Sequence, residues 1–207
     1  MQLNEEIKKI QKLISELSTN SSGVMEFIEF VESYPEILSH LKFRTIQDMK
    51  DYIMDASIKE FDELRKEAEH FVNRRKKYLT SEIEELERVS QDLSRNENVD
   101  VSVSELMDIF QQAREVTIPN QVWDKLENTE CNQIKKGEMK KVIDLAKKYN
   151  KQDPKELKKA LQKGDYRRPL ILKYGDRYHL VAGNTRLCTA AAMGIRPKVL
   201  IGDLSIL

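Results

Sequence analysis

The segment Gly183-Asn184-Thr185-Arg186 combines residue types that suit phosphate binding at the start of a helix. Gly183 permits a sharp turn and the close approach of a ligand. The first N–H groups of a following helix favour anions, and Arg186 adds a permanently charged, planar fork. Asn184 and Thr185 add neutral hydrogen-bonding groups, and Thr185 is also a candidate helix cap. We therefore predict an anion cradle at residues 183–186.

A second interpretation of the same segment needs no ligand. In an ordinary strand–helix connection, Gly183 serves only the turn and Arg186 pairs with a nearby carboxylate. One Gly-x-x-Arg pattern does not separate the two interpretations.

Three titratable residues near the cradle are weak candidates for catalysis. His179 lies on the strand that leads to Gly183, so it could act as acid or base. Asp165 and Asp176 are the carboxylates nearest in sequence that could serve as a base. The alternatives are a hydrogen-bonded strand histidine and, for Asp176, a solvated turn residue. No spacing of His, Cys, Asp or Glu predicts a metal site.

The elements that must position the cradle lie after Gly164, where the apolar period changes from helical to alternating. We predict strands near 168–173, 177–182 and 197–201, with a tight hairpin turn at 174–177. A helix of small residues is expected from Thr185 to Met193.

The preceding chain is expected to be helical. Apolar stripes predict a helix from Leu3 to Leu17, a short helix that stops before Pro35, and helical chain from Thr45 to the polar break at 94–98. Shorter helices are predicted after Ser104, after Pro119, at 135–149 and at 153–164. The fold class is therefore α+β. A helical region at 1–100, suited to self-association or partner binding as a hairpin or coiled coil, precedes a smaller domain at 101–207 with a short mixed sheet.

The C-terminal pattern resembles the ParB/sulfiredoxin superfamily across about residues 166–203. That superfamily joins a Pro-Leu-hydrophobic strand to a hairpin return containing Gly-x-x-Arg-x-x-Ala, followed by a helix and a strand. The matching segments are Arg168-Pro169-Leu170-Ile171-Leu172, His179-Leu180-Val181-Ala182-Gly183-Asn184-Thr185-Arg186-Leu187-Cys188-Thr189-Ala190-Ala191, Gly194-Ile195 and Val199-Leu200-Ile201. The chain looks similar to small ParB-like proteins encoded by bacteriophages.

The resemblance implies a protein that binds phosphate or a nucleotide in a DNA-linked process, with an arginine such as Arg168 helping to hold phosphate. ParB-like members bind CTP and DNA and carry Gly-Glu-Arg-Arg where this chain has Gly-Asn-Thr-Arg. Sulfiredoxins place their reactive cysteine where Asn184 stands, so sulfiredoxin activity is not expected. Other members are kinases of free serine, and some are labelled nucleases. A phosphotransferase or nucleotide hydrolase is therefore the alternative, with a nucleoside triphosphate and Mg²⁺ as cofactor, and a non-catalytic interaction scaffold is the third.

The net charge of zero conceals two parts of the chain with opposite net charge. Residues 1–130 carry 17 Lys and Arg against 28 Asp and Glu, a net of −11, whereas residues 131–207 carry 18 against 7, a net of +11. The basic third suggests either DNA as a partner or docking on the chain's own acidic part.

The expected location is the cytoplasm of a bacterial or phage-infected cell. No run of eighteen apolar residues predicts a membrane span, and the acidic N-terminus does not match a signal peptide. Cys131 and Cys188 are interpreted as reduced thiols.

Overall fold

The computed structural model describes residues 22–97, 99–149 and 151–206. The chain divides into two compact units, of which the first runs to Arg74 and the second begins at Arg75. The helix predicted from Leu3 to Leu17 lies outside the described residues.

The first unit is helical throughout its described part. Its elements are α1 (22–33), α2 (Glu36–His40), α3 (Ile46–Asp55) and the first part of α4 (Ile58–Thr80). The predicted helix start at Thr45 is confirmed, because Thr45 and Asp48 form a reciprocal capping box. Aromatic rings contribute to its core, with Phe27 and the partly buried Phe61 packed edge to face at 5.5 Å between ring centroids.

The long helical stretch predicted after Thr45 is broken twice. Ala56 adopts an extended backbone conformation that ends α3, and the Ser57 backbone N–H and hydroxyl both donate to the Glu60 carboxylate at the start of α4. A second break at Ser81 and Glu82 separates α4 from α5 (Ile83–Asp92). Apolar spacing alone continued smoothly through both breaks, so it did not reveal them.

The second unit contains a five-stranded mixed sheet and the remaining helices. In chain order, the elements after α5 are α6 (Val103–Gln112), β1 (Arg114–Thr117), α7 (Asn120–Asp124), β2 (Leu126–Glu127), α8 (Met139–Lys148), α9 (Pro154–Lys163), β3 (Leu170–Tyr174), β4 (Arg177–Ala182), α10 (Asn184–Met193) and β5 (Lys198–Asp203). The strand order is β1-β5-β3-β4-β2. β3 lies at the centre, antiparallel to β4 and parallel to β5.

The sheet has a hydrophobic core on each face. Neighbouring residues of β3 point to opposite cores, so Leu170 and Leu172 join α5 and α6 while Ile171 joins α7, α8 and α10. The small side chains Ala191 and Ala192 of α10 are buried in the second core. This arrangement places the start of α10 directly after the end of β4.

The α+β class is confirmed, and so are the three predicted strands. Two further strands, β1 and β2, were missed. β1 is a polar edge strand, Arg-Glu-Val-Thr, and β2 has two residues, so neither shows the alternation that predicts a strand. The helix expected after Ser104 begins at Val103, because Ser102 supplies the cap. The helices of residues 83–92 and 103–112 pack against the sheet.

Among the described residues, no helix combines the length and the apolar composition that crossing a bilayer requires.

Gly202 tests the packing of β5 against α6. A Cβ atom at Gly202 would lie 2.5 Å from Cγ2 of Ile109 and 3.2 Å from Cε1 of Phe110. Overpacking of this kind costs roughly 1–3 kcal/mol, so Gly202→Ala should lower the unfolding free energy by that amount. Denaturant titration followed by far-UV circular dichroism, which reports on the helices of both units, measures it. Gly23→Ala, at a site with no atom within 4 Å of the added Cβ, is the control, and equal stability of the two variants would contradict the packing.

Candidate ligand-binding cleft

The turn between β4 and α10 depends on Gly183. Its φ is +102°, a left-handed value that favours glycine, and it occupies the cap position without a side-chain cap bond. A Cβ atom there would lie 2.9 Å from both Cα and Cβ of Pro169. The glycine is therefore required by packing against Pro169, whereas the sequence suggested the approach of a ligand. Thr185 lies inside the helix and does not cap it.

The first turn of α10 opens into a cleft of about 420 Å³. The first intrahelical bond runs from the Leu187 N–H to the Gly183 carbonyl, so the N–H groups of Asn184, Thr185 and Arg186 have no acceptor within the helix. The volume lies within the range of small-molecule sites. The cleft is lined by the end of β4, the first turn of α10, the 128–130 segment, and residues in or next to α5, α8 and α9. Its lining residues include Glu82, Glu85, Arg88, Asn128, Glu130, Val142, Leu145, Lys151, Leu157 and Leu180.

Arg186 lines the cleft, but its charge is already paired. Its guanidinium contacts the Glu82 carboxylate at 2.8 Å and donates to the Tyr78 hydroxyl at 3.1 Å and to the Arg167 carbonyl at 2.9 Å. The side chains of Arg186 and Glu82 are only 12% and 13% exposed. This is the ion-pair arrangement that the sequence left open as the alternative.

Burial shapes the titration of this group of side chains. Burial lowers the pKa of Arg186, but Tyr78 and Glu82 outweigh it, so the pKa lies above its usual value. Burial also raises the pKa of Tyr78 to about 12. At physiological pH the arginine is therefore charged and the phenol is neutral.

Asn184 connects α10 to the segment that follows β2. Its side-chain carbonyl accepts a hydrogen bond from the Thr129 hydroxyl at 2.8 Å, and its amide donates to the Glu130 carboxylate. Asn184 thus fixes the position of one acidic side chain at the cleft.

Two cations of the cleft remain accessible to solvent. Arg88 contacts Glu85 at 2.8 Å and Lys151 contacts the same carboxylate at 3.7 Å. The side chains of Arg88 and Lys151 are each 57% exposed. These exposed ion pairs are weak, so an incoming anion can compete with Glu85 for both cations.

The other predicted site residues lie elsewhere. His179, Asp165, Asp176 and Arg168 are not among the described residues that line the cleft. Arg168 contacts Glu115 at 2.7 Å and stacks on the Tyr166 ring. Asp165 and Asp176 are exposed, in the loop after α9 and in the hairpin turn.

His179 faces a second, polar pocket of about 270 Å³. It is 9% exposed, and its Nε2 lies 2.7 Å from the amide nitrogen of Asn128. Burial lowers the pKa of the imidazole, which suits a neutral ring that accepts this hydrogen bond.

Five residues of the cleft have no sequence signal that points to them: Glu82, Glu85, Arg88, Glu130 and Lys151. They are separated from the Gly183 turn by tens of residues, and no motif joins them to it. Only the packing of α5 and α8 on the sheet brings them together. In the part of the chain that the structure describes, no group of three or more His, Cys, Asp or Glu side chains could hold a metal ion.

Comparisons with protein-family models, curated proteins and solved structures find no match. The ParB/sulfiredoxin relationship therefore stays a prediction from the C-terminal motif.

The Arg186–Glu82 pair should dominate local stability. Removing one partner of a buried pair leaves the other charge uncompensated, at a cost of roughly 3–5 kcal/mol. Arg186→Ala should thus lower the unfolding free energy by about that much. Glu82→Ala should lower the unfolding free energy less in the Arg186→Ala background than in the unchanged protein, because the pair is already broken there. Denaturant titration of the two single variants and the double variant measures the coupling.

Arg177 provides the control for that cycle. It contacts Glu97 and Glu127, but its side chain is 45% exposed, so Arg177→Ala should cost at most about 1 kcal/mol. Additive effects at Arg186 and Glu82 would show that the pair does not stabilise the fold.

His179 should titrate below its usual pKa of about 6.5, because burial disfavours the charged ring. The unfolded state then binds the proton more tightly, so the neutral ring contributes stability that falls as the pH drops below about 6.5. NMR titration of the ring protons, assigned with His179→Gln, measures the midpoint. In His179→Gln, the unfolding free energy should fall less steeply as the pH drops. Part of the fall should remain, because burial also lowers the pKa of His40. A midpoint at or above 6.5 would refute the assignment.

Proposed function

We propose that this protein binds a small phosphorylated ligand of nucleotide size in the cleft at the start of α10. The observation that carries the proposal is the cleft itself, of about 420 Å³, into which the N-terminus of a ten-residue helix opens beside two exposed cations. Phosphate groups suit such a position because free N–H groups and a positive helix end both favour anions.

The cleft also has an apolar side. Val142 and Leu145 of α8 and Leu157 of α9 are among the residues that line it. A ligand with a phosphate at one end and a flat, weakly polar ring at the other would place each part against a surface of matching character. A nucleotide has this composition, which supports it as the ligand.

Arg186 has a different role in this proposal from the one its sequence suggested. Because Glu82 neutralises its charge, Arg186 holds the first turn of α10 in position and does not bind the ligand. The phosphate then contacts the backbone N–H groups, Arg88 and Lys151. Asn184 braces the same turn from the other side through Glu130.

The resemblance to ParB-like proteins supports the same ligand class. It also supports a DNA-linked process in the cytoplasm of a bacterial or phage-infected cell as the setting. Asn184 and Thr185 stand where ParB-like proteins have the Glu and first Arg of Gly-Glu-Arg-Arg, so the motif does not indicate which nucleobase is preferred. The ligand panel must therefore include all four nucleoside triphosphates with Mg²⁺.

A second candidate is a phosphotransferase or nucleotide hydrolase in the same cleft. It is favoured by three carboxylates that line the cleft, Glu82, Glu85 and Glu130. Glu82 and Glu130 are held by Arg186 and Asn184, whereas Glu85 is 31% exposed and has only weak partners. Glu85 is therefore the carboxylate best placed to act as a base.

Isothermal titration of the nucleotide panel tests the proposal. Arg88→Ala and Lys151→Ala should each weaken binding about tenfold, because each removes a charge-assisted contact of about 1.5 kcal/mol. Lys159→Ala is the matched control, since Lys159 lies on α9 with its charge paired to Glu156 and does not line the cleft. Binding that both cleft variants leave unchanged, or no binding at millimolar nucleotide, would overturn the proposal.

Phosphate release and transfer to free serine, measured in the same samples, separate the enzyme from the binding protein. If the cleft is catalytic, Glu85→Gln should reduce turnover while nucleotide binding persists. Binding without turnover would exclude the second candidate.

A further inference from the structure

Helices α8 and α9 and their flanking residues carry a dense cluster of lysines. Residues 135–163 contain eleven lysines and no arginine against four carboxylates, a net of +7. All eleven lysines are exposed. We call this surface the lysine face; it comprises Lys135, Lys136, Lys140, Lys141, Lys147, Lys148, Lys151, Lys155, Lys158, Lys159 and Lys163.

The helical period separates the lysines from the core. In α8, Val142 and Ala146 are buried, and Lys140 and Lys147 fall on the opposite side of the helix. In α9, Leu157 and Leu161 are buried, and Lys155 and Lys163 fall on the opposite side. The two helices pack against each other and against α10. Their outer sides therefore lie on the same packed group of helices in the second unit.

Few of these charges are compensated within the protein. Lys159 pairs with Glu156, Lys151 pairs with Glu85, and Lys141 donates to the Gln133 carbonyl. Within the residues that the structure describes, the other eight lysines form no ion pair. Mutual repulsion among uncompensated like charges is relieved by a polyanion.

The composition of the face indicates which polyanion it suits. Lysine is a compact point charge that contacts phosphate without the planar geometry that reads a guanine edge. The one aromatic residue in 135–163, Tyr149, is half exposed, whereas proteins that bind single strands stack successive bases on several aromatic rings. The face therefore suits the regularly spaced phosphates of a duplex.

We infer that the lysine face binds the backbone of duplex DNA without sequence preference. This inference does not depend on the ligand of the cleft, because the variants that test it lie outside the cleft lining. The acidic first part of the chain is the competing occupant, and the experiment below distinguishes the two.

Fluorescence anisotropy of the full chain with a fluorescein-labelled short duplex tests the inference across a series of salt concentrations. The test variant carries Lys140→Gln, Lys147→Gln, Lys155→Gln and Lys163→Gln. Its affinity at low salt should fall at least about tenfold, and the slope of log affinity against log salt should decrease by roughly 3–4, since each phosphate contact contributes about 0.9. Two duplexes of unrelated sequence should give the same result.

A second variant controls for net charge. Lys59→Gln, Lys66→Gln, Lys76→Gln and Lys77→Gln remove the same number of positive charges from exposed positions of α4. Because this variant leaves every residue of the lysine face unchanged, it should bind within about twofold of the unchanged protein.

Two double variants, Lys140→Gln/Lys147→Gln and Lys155→Gln/Lys163→Gln, should each give part of the loss, and circular dichroism checks that every variant folds. The inference is overturned if the unchanged protein binds no duplex at low salt, as docking of its own acidic part would produce. Equal weakening by the α4 variant, or unchanged binding by the four-lysine variant, would overturn it as well.

Discussion

The buried ion pair between Arg186 and Glu82 is the contact on which the geometry of the second unit's cleft depends. It joins the first turn of α10 to the junction of α4 and α5, and the Tyr78 hydroxyl and the Arg167 carbonyl complete its hydrogen bonds. Burying two charges costs several kcal/mol unless their geometry and hydrogen bonds are complete. The pair therefore tolerates little displacement of either helix, and it fixes the distance between two walls of the cleft.

Electrostatic balance is the second property of the cleft. Each cation that lines it has a carboxylate partner, with Glu82 serving Arg186 and Glu85 serving both Arg88 and Lys151. An anionic ligand must therefore displace a carboxylate before it gains a cation. Such exchange favours ligands that bring their own positive charge or hydrogen-bond donors to the released carboxylate. The strength of binding then depends on matching the whole ligand, since no single phosphate contact suffices.

Much of the fold, but little of the cleft, followed from the sequence. Local signals were sufficient for the helix start at Thr45, for α9 between Asp153 and Gly164, and for the three apolar strands. The polar edge strand β1 was not predicted, because its partner β5 is distant in sequence and its own residues do not alternate between apolar and polar. The same reason explains why Glu82 was not predicted, since it lies 104 positions from Arg186, the residue it contacts. A pairing of that kind is a property of tertiary packing and leaves no local pattern.

The strand order has a consequence for the synthesis of the chain. Of the five strands in the described sheet, β5 is the last to leave the ribosome, yet it lies between β1 and the central strand β3. β1 therefore has no partner while more than eighty residues are being translated, and only the β3–β4 hairpin can form from neighbouring residues. Contacts of such long range are slow to form because closing the intervening loop is entropically costly. The nascent second unit must accordingly keep one edge of its sheet unpaired until translation has reached Asp203, and that interval is when it is most exposed to aggregation or to capture by a chaperone.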